Sequence, residues 1–245
     1  MNKSIYASVL SSKKKGKKLF SVLVDPDKFS PEVIREADKA RVDFIFIGGS
    51  KVKNGSFHRC VASIQKITNI PLVIFPGSRE QVSEKADAIL LLSLISGRNP
   101  DYLIGEHIQA ARQLKRSKLE IIPTGYILIG GGKKISAQAV TRTSPIKSSD
   151  KGLAVSTAIA GELLGMKMIY LEAGSGSKTP LSSSLVKEVR KNISCPVIAG
   201  GGIDTPEKAQ ALCKAGADMI VVGNAIEKDH GLIVEIAKAI HSYTI

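Results

Sequence analysis

The sequence is poor in aromatic residues and in cysteine, and both shortages reduce the number of functions that the protein can have. It has no tryptophan, and Phe, Trp and Tyr together make up 4% of its 245 residues. Proteins that bind single-stranded nucleic acid stack bases on aromatic side chains, so this composition disfavours that class. The three cysteines, Cys60, Cys195 and Cys213, show no CxxC spacing. We interpret Cys195 and Cys213 as small core residues and expect a reducing, cytoplasmic location.

Long apolar runs are also absent. No uninterrupted run approaches the roughly 18 apolar residues of a membrane-spanning helix. Residues 1–20 carry lysines but no apolar core or cleavage pattern of a signal peptide. The apolar fraction of 43% is enough for a sizeable core, and the length suits one (β/α)₈ barrel. We therefore predict a single domain over residues 1–245.

Acidic residues are too few to balance the basic ones. The chain has 22 Asp and Glu against 35 Lys and Arg, a net charge of +13. Such an excess is typical of proteins that bind nucleic acid, anionic membranes or anionic small substrates. No nucleic-acid-binding motif is present, so we expect no nucleic acid partner. The run Lys13–Lys18 is interpreted as a solvated lead-in segment, with attraction to a membrane surface as the alternative.

Glycine-rich segments follow three predicted strands in the second half of the chain. They are Tyr170–Gly176, Gly200–Gly202 and Gly223-Asn224. Glycine lets the backbone approach an anion, and helix N-termini present free N–H groups with a partial positive charge. Loops after strands 7 and 8 of a (β/α)₈ barrel are the usual place for such a site. We therefore predict a phosphate site formed by the backbone of Gly174, Gly176, Gly201, Gly202, Gly223 and Asn224, with the hydroxyl of Ser175.

The alternation of elements predicts the fold. Eight predicted strands, rich in Val, Ile and Leu, alternate with predicted helices, as in a parallel sheet covered on both faces. Strands 3 and 4 are separated only by Pro76–Asp87, which is a poor helix sequence. We predict a modified TIM (β/α)₈ barrel in which the helix between strands 3 and 4 is missing or replaced. The polar segment Gly130–Asp150 is predicted to be a long loop.

Five segments follow one another in order along nearly the whole chain: Val24–Lys28, Ile47–Ser50, Tyr170–Gly176, Gly200–Ile203 and Val222–Ala225. Together they resemble the geranylgeranylglyceryl phosphate synthase family, whose bacterial members include enzymes that make heptaprenylglyceryl phosphate. The branch with the heptaprenyl enzymes carries a lysine two residues before the metal aspartate, where this sequence has Leu23. The sequence is therefore more similar to the branch that favours a C20 donor.

The resemblance implies a Mg²⁺-dependent prenyltransferase. It would join sn-glycerol 1-phosphate to a polyprenyl diphosphate, releasing diphosphate, and would be a homo-oligomer in contact with the membrane surface that receives its lipid product. Asp25, at the carboxyl end of the first strand, and Ser50, after the second, match the family's metal positions. The alternatives are a turn residue before Pro26 for Asp25 and a helix or turn cap for Ser50.

The strand Lys167–Glu172 carries the candidate catalytic residue. Because side chains alternate along a strand, Tyr170 and Glu172 share the face predicted to point into the barrel mouth. Glu172 is our candidate base for the acceptor hydroxyl, with a structural acid paired to a lysine as the alternative. Tyr170 is assigned to substrate hydrogen bonding, although a packed core tyrosine is almost as typical. The family motif adds Leu171 and Ala173 to the predicted substrate segment.

A prenyl tail requires an apolar groove and protection from water. Plain barrel core explains the apolar candidates at least as well, so no tail site is predicted from them. Gly130–Asp150 is predicted to act as a lid that excludes water. Two rival functions stay open: another phosphate-binding barrel enzyme of isomerase or aldolase type, or a non-catalytic basic protein that binds RNA or membrane. The apolar candidates are Ala88–Leu92, Leu94, Ile95, Tyr102, Ile127 and Leu128.

Overall fold

The computed structural model describes residues 4–49, 52–53, 55–130, 136–174, 177 and 180–243. Three predicted site residues, Ser50, Ser175 and Gly176, lie outside these residues. Parallel strands form a sheet that closes on itself, because β4 pairs with β5 and β1 pairs with β9. The eight barrel strands are β1 (Leu19–Val24), β2 (Phe44–Ile47), β3 (Leu72–Ile74), β4 (Ala88–Leu94), β5 (Glu120–Gly130), β7 (Met168–Glu172), β8 (Val197–Gly200) and β9 (Met219–Val222).

Helices surround the barrel, which confirms the predicted (β/α)₈ class. A short strand, β6 (Ile146–Lys147), pairs only with the end of β5. A 3₁₀ turn (Pro26–Lys28) follows β1, and a π-helical turn (Asp101–Gly105) precedes α4. The helices are α1 (Ile5–Lys14), α2 (Pro31–Lys39), α3 (Ser56–Ile67), α4 (Glu106–Arg116), α5 (Ser136–Thr141), α6 (Lys151–Leu163), α7 (Ser183–Asn192), α8 (Pro206–Ala215), α9 (Asn224–Lys228) and α10 (Leu232–His241).

Side chains of each strand divide between two apolar layers. On β7, Met168 and Tyr170 are buried inside the barrel, whereas Ile169 and Leu171 pack in the layer between strands and helices. This is the division that the period of two predicts for a strand covered on both faces. Tyr170 therefore points into the barrel, as predicted.

Capping residues set several helix starts as the sequence predicts. Ser30 and Thr205 accept hydrogen bonds from backbone N–H groups at the starts of α2 and α8, each with proline at the first helical position. One predicted cap is wrong: α7 begins at Ser183 with Ser182 as its N-cap, and not at Thr179-Pro180. The helix starts after Ser182 because the hydroxyl of Ser182 accepts a hydrogen bond from the N–H of Leu185. The predicted C-terminal helix is also divided, into α9 and α10.

No helix lies between β3 and β4, as predicted. Residues 75–87, all of which the structure describes, run as turns and extended chain. In an ordinary barrel a helix here would cover the outer side of β3 and β4. Its absence leaves an apolar groove beside β4, described below.

The N-terminal segment contains helix α1, which was not predicted from the sequence. Ile5 and Val9 of this helix are buried in the same layer as the barrel interior and close its amino-terminal end. The lysine run is not uniformly solvated either. Lys18 is 6% exposed, with its ammonium 5.7 Å from the ring centre of Tyr243, and Lys13 donates to the carbonyl of Ser194.

The segment Gly130–Asp150 was predicted to be a loop but contains α5 and β6. These two elements were not predicted because the serines and threonines of the segment are as common in loops as in short helices and strands. Asn99 donates to the carbonyl of Thr141 at 3.0 Å, which ties α5 to the start of the π-helical turn. Residues 131–135 lie outside the described part of the chain.

The carboxylate of Glu120 holds helix α1 in place. It accepts from the N–H of Ile5 at 2.5 Å, from the N–H of Tyr6 at 3.1 Å and from the hydroxyl of Ser4 at 2.6 Å. These donors include N–H groups that a helix start leaves without partners inside the helix. The anion also interacts favourably with the positive end of the helix dipole.

We expect Glu120→Ala to lower the free energy of unfolding by about 1–3 kcal/mol, the range for leaving partly buried polar groups unpaired. Urea denaturation would measure the change, with the exposed substitution Glu80→Ala as the control. Equal stability of the two variants would show that Glu120 does not anchor α1.

The three cysteines are free thiols. Cys60 and Cys213 are buried and Cys195 is half-buried, which confirms Cys213 as a core residue. Burial raises the pKa of Cys60 and Cys213 to about 12 and that of Cys195 to about 11, so all three are protonated at neutral pH. Across the described residues, no helix combines the length and apolar character needed to cross a bilayer.

Candidate active site

A cleft opens at the carboxyl ends of β7, β8 and β9. It encloses about 1150 Å³ including its open mouth. This is the end of a (β/α)₈ barrel where active sites are built. The structure thus brings together residues that the sequence predicted from three separate segments: Tyr170, Glu172, Gly201, Gly202, Gly223 and Asn224 all line the cleft.

Glu172 is a buried carboxyl group at the base of this cleft, with 6% of its surface exposed. Its Oε1 accepts from the N–H of Gly174 at 2.6 Å, and Tyr170 also hydrogen-bonds to it. Burial raises the pKa of Glu172 to about 7, since it disfavours the charged form more than these hydrogen bonds favour it. A carboxyl group with that pKa can accept a proton near neutral pH.

Gly200 and Gly201 allow this carboxyl group to sit where it does. A Cβ atom on Gly201 would lie 2.4 Å from Oε1 of Glu172, and one on Gly200 would lie 2.3 Å from the hydroxyl of Tyr170. Gly201 also has φ +86°, which side-chain-bearing residues rarely adopt. Any larger residue at either position would displace the side chains of β7 from the cleft.

Three described residues of the predicted substrate segment, Leu171, Ala173 and Gly174, do not line the cleft. Leu171 and Ala173 are buried in the layer between strands and helices, so their side chains face away from it. The N–H of Gly174 is engaged by Glu172. Contact of these residues with a substrate would have to come from their backbone.

The cleft also contains polar residues that sequence reasoning missed. Lys228, Asp204 and Ser177 line it. Lys228 lies one helical turn after Asn224 in α9, a spacing that could have indicated a basic group facing the same ligand. Lys228 brings one positive charge to a cleft that Asp204 and Asp229 also line. Its ammonium and the backbone N–H groups of the glycines are the donors that an anionic ligand would use there.

Asp25 lies at the carboxyl end of β1, on the same side of the barrel as the cleft. Its Oδ1 accepts from the N–H of Asp27 at 3.0 Å, and its Oδ2 lies 3.8 Å from Nζ of Lys28. A Cβ atom on Gly49, which precedes Ser50 in the sequence, would lie 3.5 Å from Oδ1 of Asp25. The two predicted metal segments therefore meet.

The neighbours of Asp25 have structural roles. Asp27 accepts from the N–H of Lys53 and from the hydroxyl of Ser56, and Lys28 pairs with Glu227 at 2.9 Å. These contacts give Asp27 and Lys28 structural roles in the turn after β1. They leave Asp25 as the candidate ligand of this turn.

The donor set around Asp25 fits a cation that keeps most of its own ligands. Among the residues that the structure describes, no three His, Cys, Asp or Glu side chains cluster as a metal cage. Mg²⁺ is usually held by one or two carboxylates together with waters and substrate phosphate oxygens. The partly exposed carboxylate of Asp25 is of that type.

An apolar groove of about 870 Å³, including its open side, lies beside β4, where the helix is missing. Its wall includes Gly49, next to Asp25, together with Leu114 of α4 and Val140 and Thr141 of α5. Most of the apolar candidates from the sequence line it: Ile89–Leu92, Leu94 and Tyr102, whereas Ala88, Ile95, Ile127 and Leu128 are not part of its wall.

A cluster of aromatic rings separates the groove from the cleft. Phe75 and Tyr126 line the groove, and Tyr170 lines the cleft. The ring centre of Tyr170 lies 5.2 Å from that of Phe75 and 5.3 Å from that of Tyr126. Sequence reasoning did not single out Phe75 or Tyr126, although both alternate toward the barrel interior. A polar and an apolar site thus meet across one layer of aromatic side chains.

Comparison with known proteins identifies close relatives. The geranylgeranylglyceryl phosphate synthase of Chitinophaga pinensis is 48% identical, over 99% of this chain and 98% of its own length. The protein of the same name from Thermococcus kodakarensis is 41% identical, over 86% of this chain and 85% of its own. The crystal structure of (S)-3-O-geranylgeranylglyceryl phosphate synthase from Thermoplasma acidophilum, in complex with the substrate sn-glycerol-1-phosphate, has a TM-score of 0.93 at 32% identity, covering 98% of this chain and 100% of that one.

The predicted family resemblance is confirmed by these relatives over the whole length of the chain. The sequence model of the PcrB family matches residues 12–240, which include every barrel strand and the cleft and groove described above. This chain is therefore a member of the PcrB family.

Proposed function

We propose that this protein transfers a prenyl group from a polyprenyl diphosphate, preferably C20, to the 3-hydroxyl of sn-glycerol 1-phosphate. The observation that carries the proposal is the adjacency of a polar cleft and an apolar groove across the ring cluster of Tyr170, Phe75 and Tyr126. A small phosphate and a long hydrocarbon are the two ligands that such a pair of sites suits. The names of the relatives agree with this reaction.

The cleft would hold the acceptor. Backbone N–H groups around Gly201, Gly202 and Gly223, with the ammonium of Lys228, provide donors and positive charge for the phosphate. Glu172 then lies within the same cleft to receive a hydroxyl of the glycerol. Its hydrogen bonds to Gly174 and Tyr170 fix its orientation.

The groove would hold the donor, with its diphosphate at the Gly49 end and its tail along β4. Asp25 and Ser50 would hold Mg²⁺ there. The ion would supply positive charge to neutralise the diphosphate leaving group.

The reaction forms one bond and breaks one. The glycerol hydroxyl oxygen bonds to C1 of the prenyl chain, the bond from C1 to the diphosphate oxygen breaks, and diphosphate leaves with the bonding pair. Glu172 takes the hydroxyl proton. The faces of Tyr126 and Phe75 stabilise positive charge that develops on the allylic carbon. Val140 and Thr141, at the groove, make the Gly130–Asp150 segment suited to exclude water.

The rival functions find less support in the structure. A Schiff-base enzyme needs a lysine inside the barrel, but none of the eight barrel strands, all within the described residues, contains one. A non-catalytic basic protein that binds RNA or membrane does not need a buried carboxyl group facing a cleft. Its binding would also weaken steeply with salt, without consuming either substrate.

Membrane contact and self-association complete the proposal. Ile104 and Ile108, beside the groove, have 53% and 67% of their surfaces exposed, which suits contact with the membrane that supplies the donor. At the end of α6, Leu163 and the C-cap residue Leu164 are 82% and 75% exposed and suit an interface between copies of the chain. Cytoplasmic location remains a prediction from the cysteine content.

The proposal is tested by incubating the protein with labelled sn-glycerol 1-phosphate, geranylgeranyl diphosphate and Mg²⁺, followed by butanol extraction. We expect label in the organic phase, and less of it with sn-glycerol 3-phosphate or without the donor. Donors of other lengths establish the preference for C20. Label that stays wholly aqueous with every donor would refute the proposal.

We also predict a pH dependence that depends on Glu172. Because its pKa is about 7 and the base works in its deprotonated form, kcat/KM should rise about tenfold for each pH unit well below 7 and level off above it. A profile of kcat/KM between pH 5.5 and 8.5 measures this. A flat profile across that range would show that Glu172 is not the titrating base.

A further inference from the structure

Gln81 lies in the segment that replaces the missing helix, and it is 3% exposed. No helix or strand of the barrel contains it. A polar side chain this deeply buried requires hydrogen-bond partners. Its partners show what it does.

The carboxamide of Gln81 joins two backbone segments. Its Oε1 accepts from the N–H of Gly49 at 3.2 Å and from the N–H of Gly77 at 3.3 Å. Its Nε2 donates to the carbonyl of Gly49 at 2.7 Å. The orientation of the amide is determined by these contacts, since exchanging its oxygen and nitrogen would mismatch all three.

Gly49 connects these hydrogen bonds of Gln81 to the proposed reaction site. It lines the groove and lies next to the carboxylate of Asp25, since a Cβ atom built on Gly49 would be 3.5 Å from Oδ1 of Asp25. The preceding Gly48 admits no side chain, because a Cβ there would lie 1.9 Å from the carbonyl oxygen of Phe75. The backbone after β2 therefore packs closely against the segment after β3. The side chain of Gln81 hydrogen-bonds to both the N–H and the carbonyl of Gly49.

We propose that Gln81 is a positioning residue that fixes the Gly49 backbone beside Asp25 and ties it to Gly77 in the groove wall, so that the diphosphate end and the tail end of the donor site keep one geometry. Gln81 does not line the groove or the cleft, so it acts through Gly49. This inference rests on the proposed function, because it concerns the donor half of that site. Outer contacts of this kind typically change metal affinity or activity 10–100-fold when removed.

Two substitutions separate the contacts. Gln81→Met keeps the length of the side chain and removes all three hydrogen bonds. Gln81→Glu keeps the shape and the acceptors for Gly49 and Gly77 but removes the donor to the Gly49 carbonyl. The control is Gln65→Met, because Gln65 also donates its carboxamide to this segment, at the carbonyl of Lys85, without touching Gly49.

The experiment measures thermal stabilisation of each full-length protein by magnesium diphosphate and, separately, by sn-glycerol 1-phosphate. We expect the half-saturating concentration of magnesium diphosphate to rise about tenfold in Gln81→Met and less in Gln81→Glu. That of glycerol phosphate should stay within about twofold, and Gln65→Met should match the wild type for both. Steady-state assays should show the same division between the KM of the donor and the KM of the acceptor.

Other outcomes would overturn the inference. If magnesium diphosphate stabilised both Gln81 variants at the same concentrations as the wild type, the hydrogen bonds of Gln81 would not position the site. Equal losses for both ligands would show a general effect on the fold. If Gln81→Met does not fold, Gln81→Glu is judged by the same criteria. A wild-type protein stabilised by neither ligand would overturn the proposed function itself and this inference with it.

Discussion

Replacing Asp25 with asparagine should lower prenyl transfer by more than about 100-fold, beyond the range typical of residues that only support a ligand. Asparagine has the same shape and keeps an oxygen that can accept from the N–H of Asp27, so the turn after β1 should persist. It removes the negative charge that Mg²⁺ requires from its ligand. The measurement is kcat/KM with geranylgeranyl diphosphate over a range of Mg²⁺ concentrations.

A matched control for this substitution lies two residues away. Asp27→Asn also removes one carboxylate from the turn, but Asp27 serves the N–H of Lys53 and the hydroxyl of Ser56. It should cost some stability and leave activity within a few-fold of the wild type. Near-normal turnover of the Asp25 variant, or equal losses in the two variants, would refute the assignment of Asp25 to the metal.

Glu172→Gln should lower kcat by about 10²–10⁴-fold, the usual contribution of a general base. Glutamine keeps an oxygen for the N–H of Gly174 and leaves the glycine backbone of the cleft in place. The KM of glycerol phosphate should therefore change little, because the phosphate contacts are not altered. The rise of kcat/KM through pH 7 should disappear in the same variant, since that rise reports the carboxyl group.

Glu207→Gln is the control for the second substitution. Glu207 is an exposed acid in the first turn of α8, close in sequence to Gly201 and Gly202 but outside the cleft. Its loss should leave both kcat and the pH profile unchanged. An unchanged kcat in Glu172→Gln would remove Glu172 as the base, and a large rise in the KM of glycerol phosphate would assign it to binding.

Much of the candidate site could be predicted because its residues follow local rules. Glu172 and Tyr170 share one face of β7 by strand period alone, and burial places them inside the barrel as expected. Gly201 and Gly223 end strands whose apolar pattern identifies them. A run of apolar residues followed by glycine can be recognised from the local sequence alone. Such segments can then be placed together, because in this fold the carboxyl ends of the strands share one end of the barrel.

Two failures of prediction arise from contacts between residues distant in sequence, and one arises from the choice between neighbouring caps. Helix α1 has little amphipathic pattern of its own, and its position depends on Glu120, which is 115 residues distant from Ile5. Thr179-Pro180 has the residue types of a helix start, but Ser182 is the residue whose hydroxyl reaches a free N–H. Lysines that count as solvated from composition include Lys18, which the C-terminal Tyr243 covers.

The positions of the strands along the chain, the glycine-ended loops, the absent helix after β3 and the carboxyl groups at the barrel mouth could be predicted, because each is encoded by neighbours within a few residues. Three features arise only in the folded barrel: the contact of Phe75 and Tyr126 with the ring of Tyr170, the burial that brings the pKa of Glu172 to about 7, and the hydrogen bonds of Gln81 to Gly49 across 32 positions of chain. Desolvation and long-range hydrogen bonds exist only once the barrel has closed, so no local pattern encodes them.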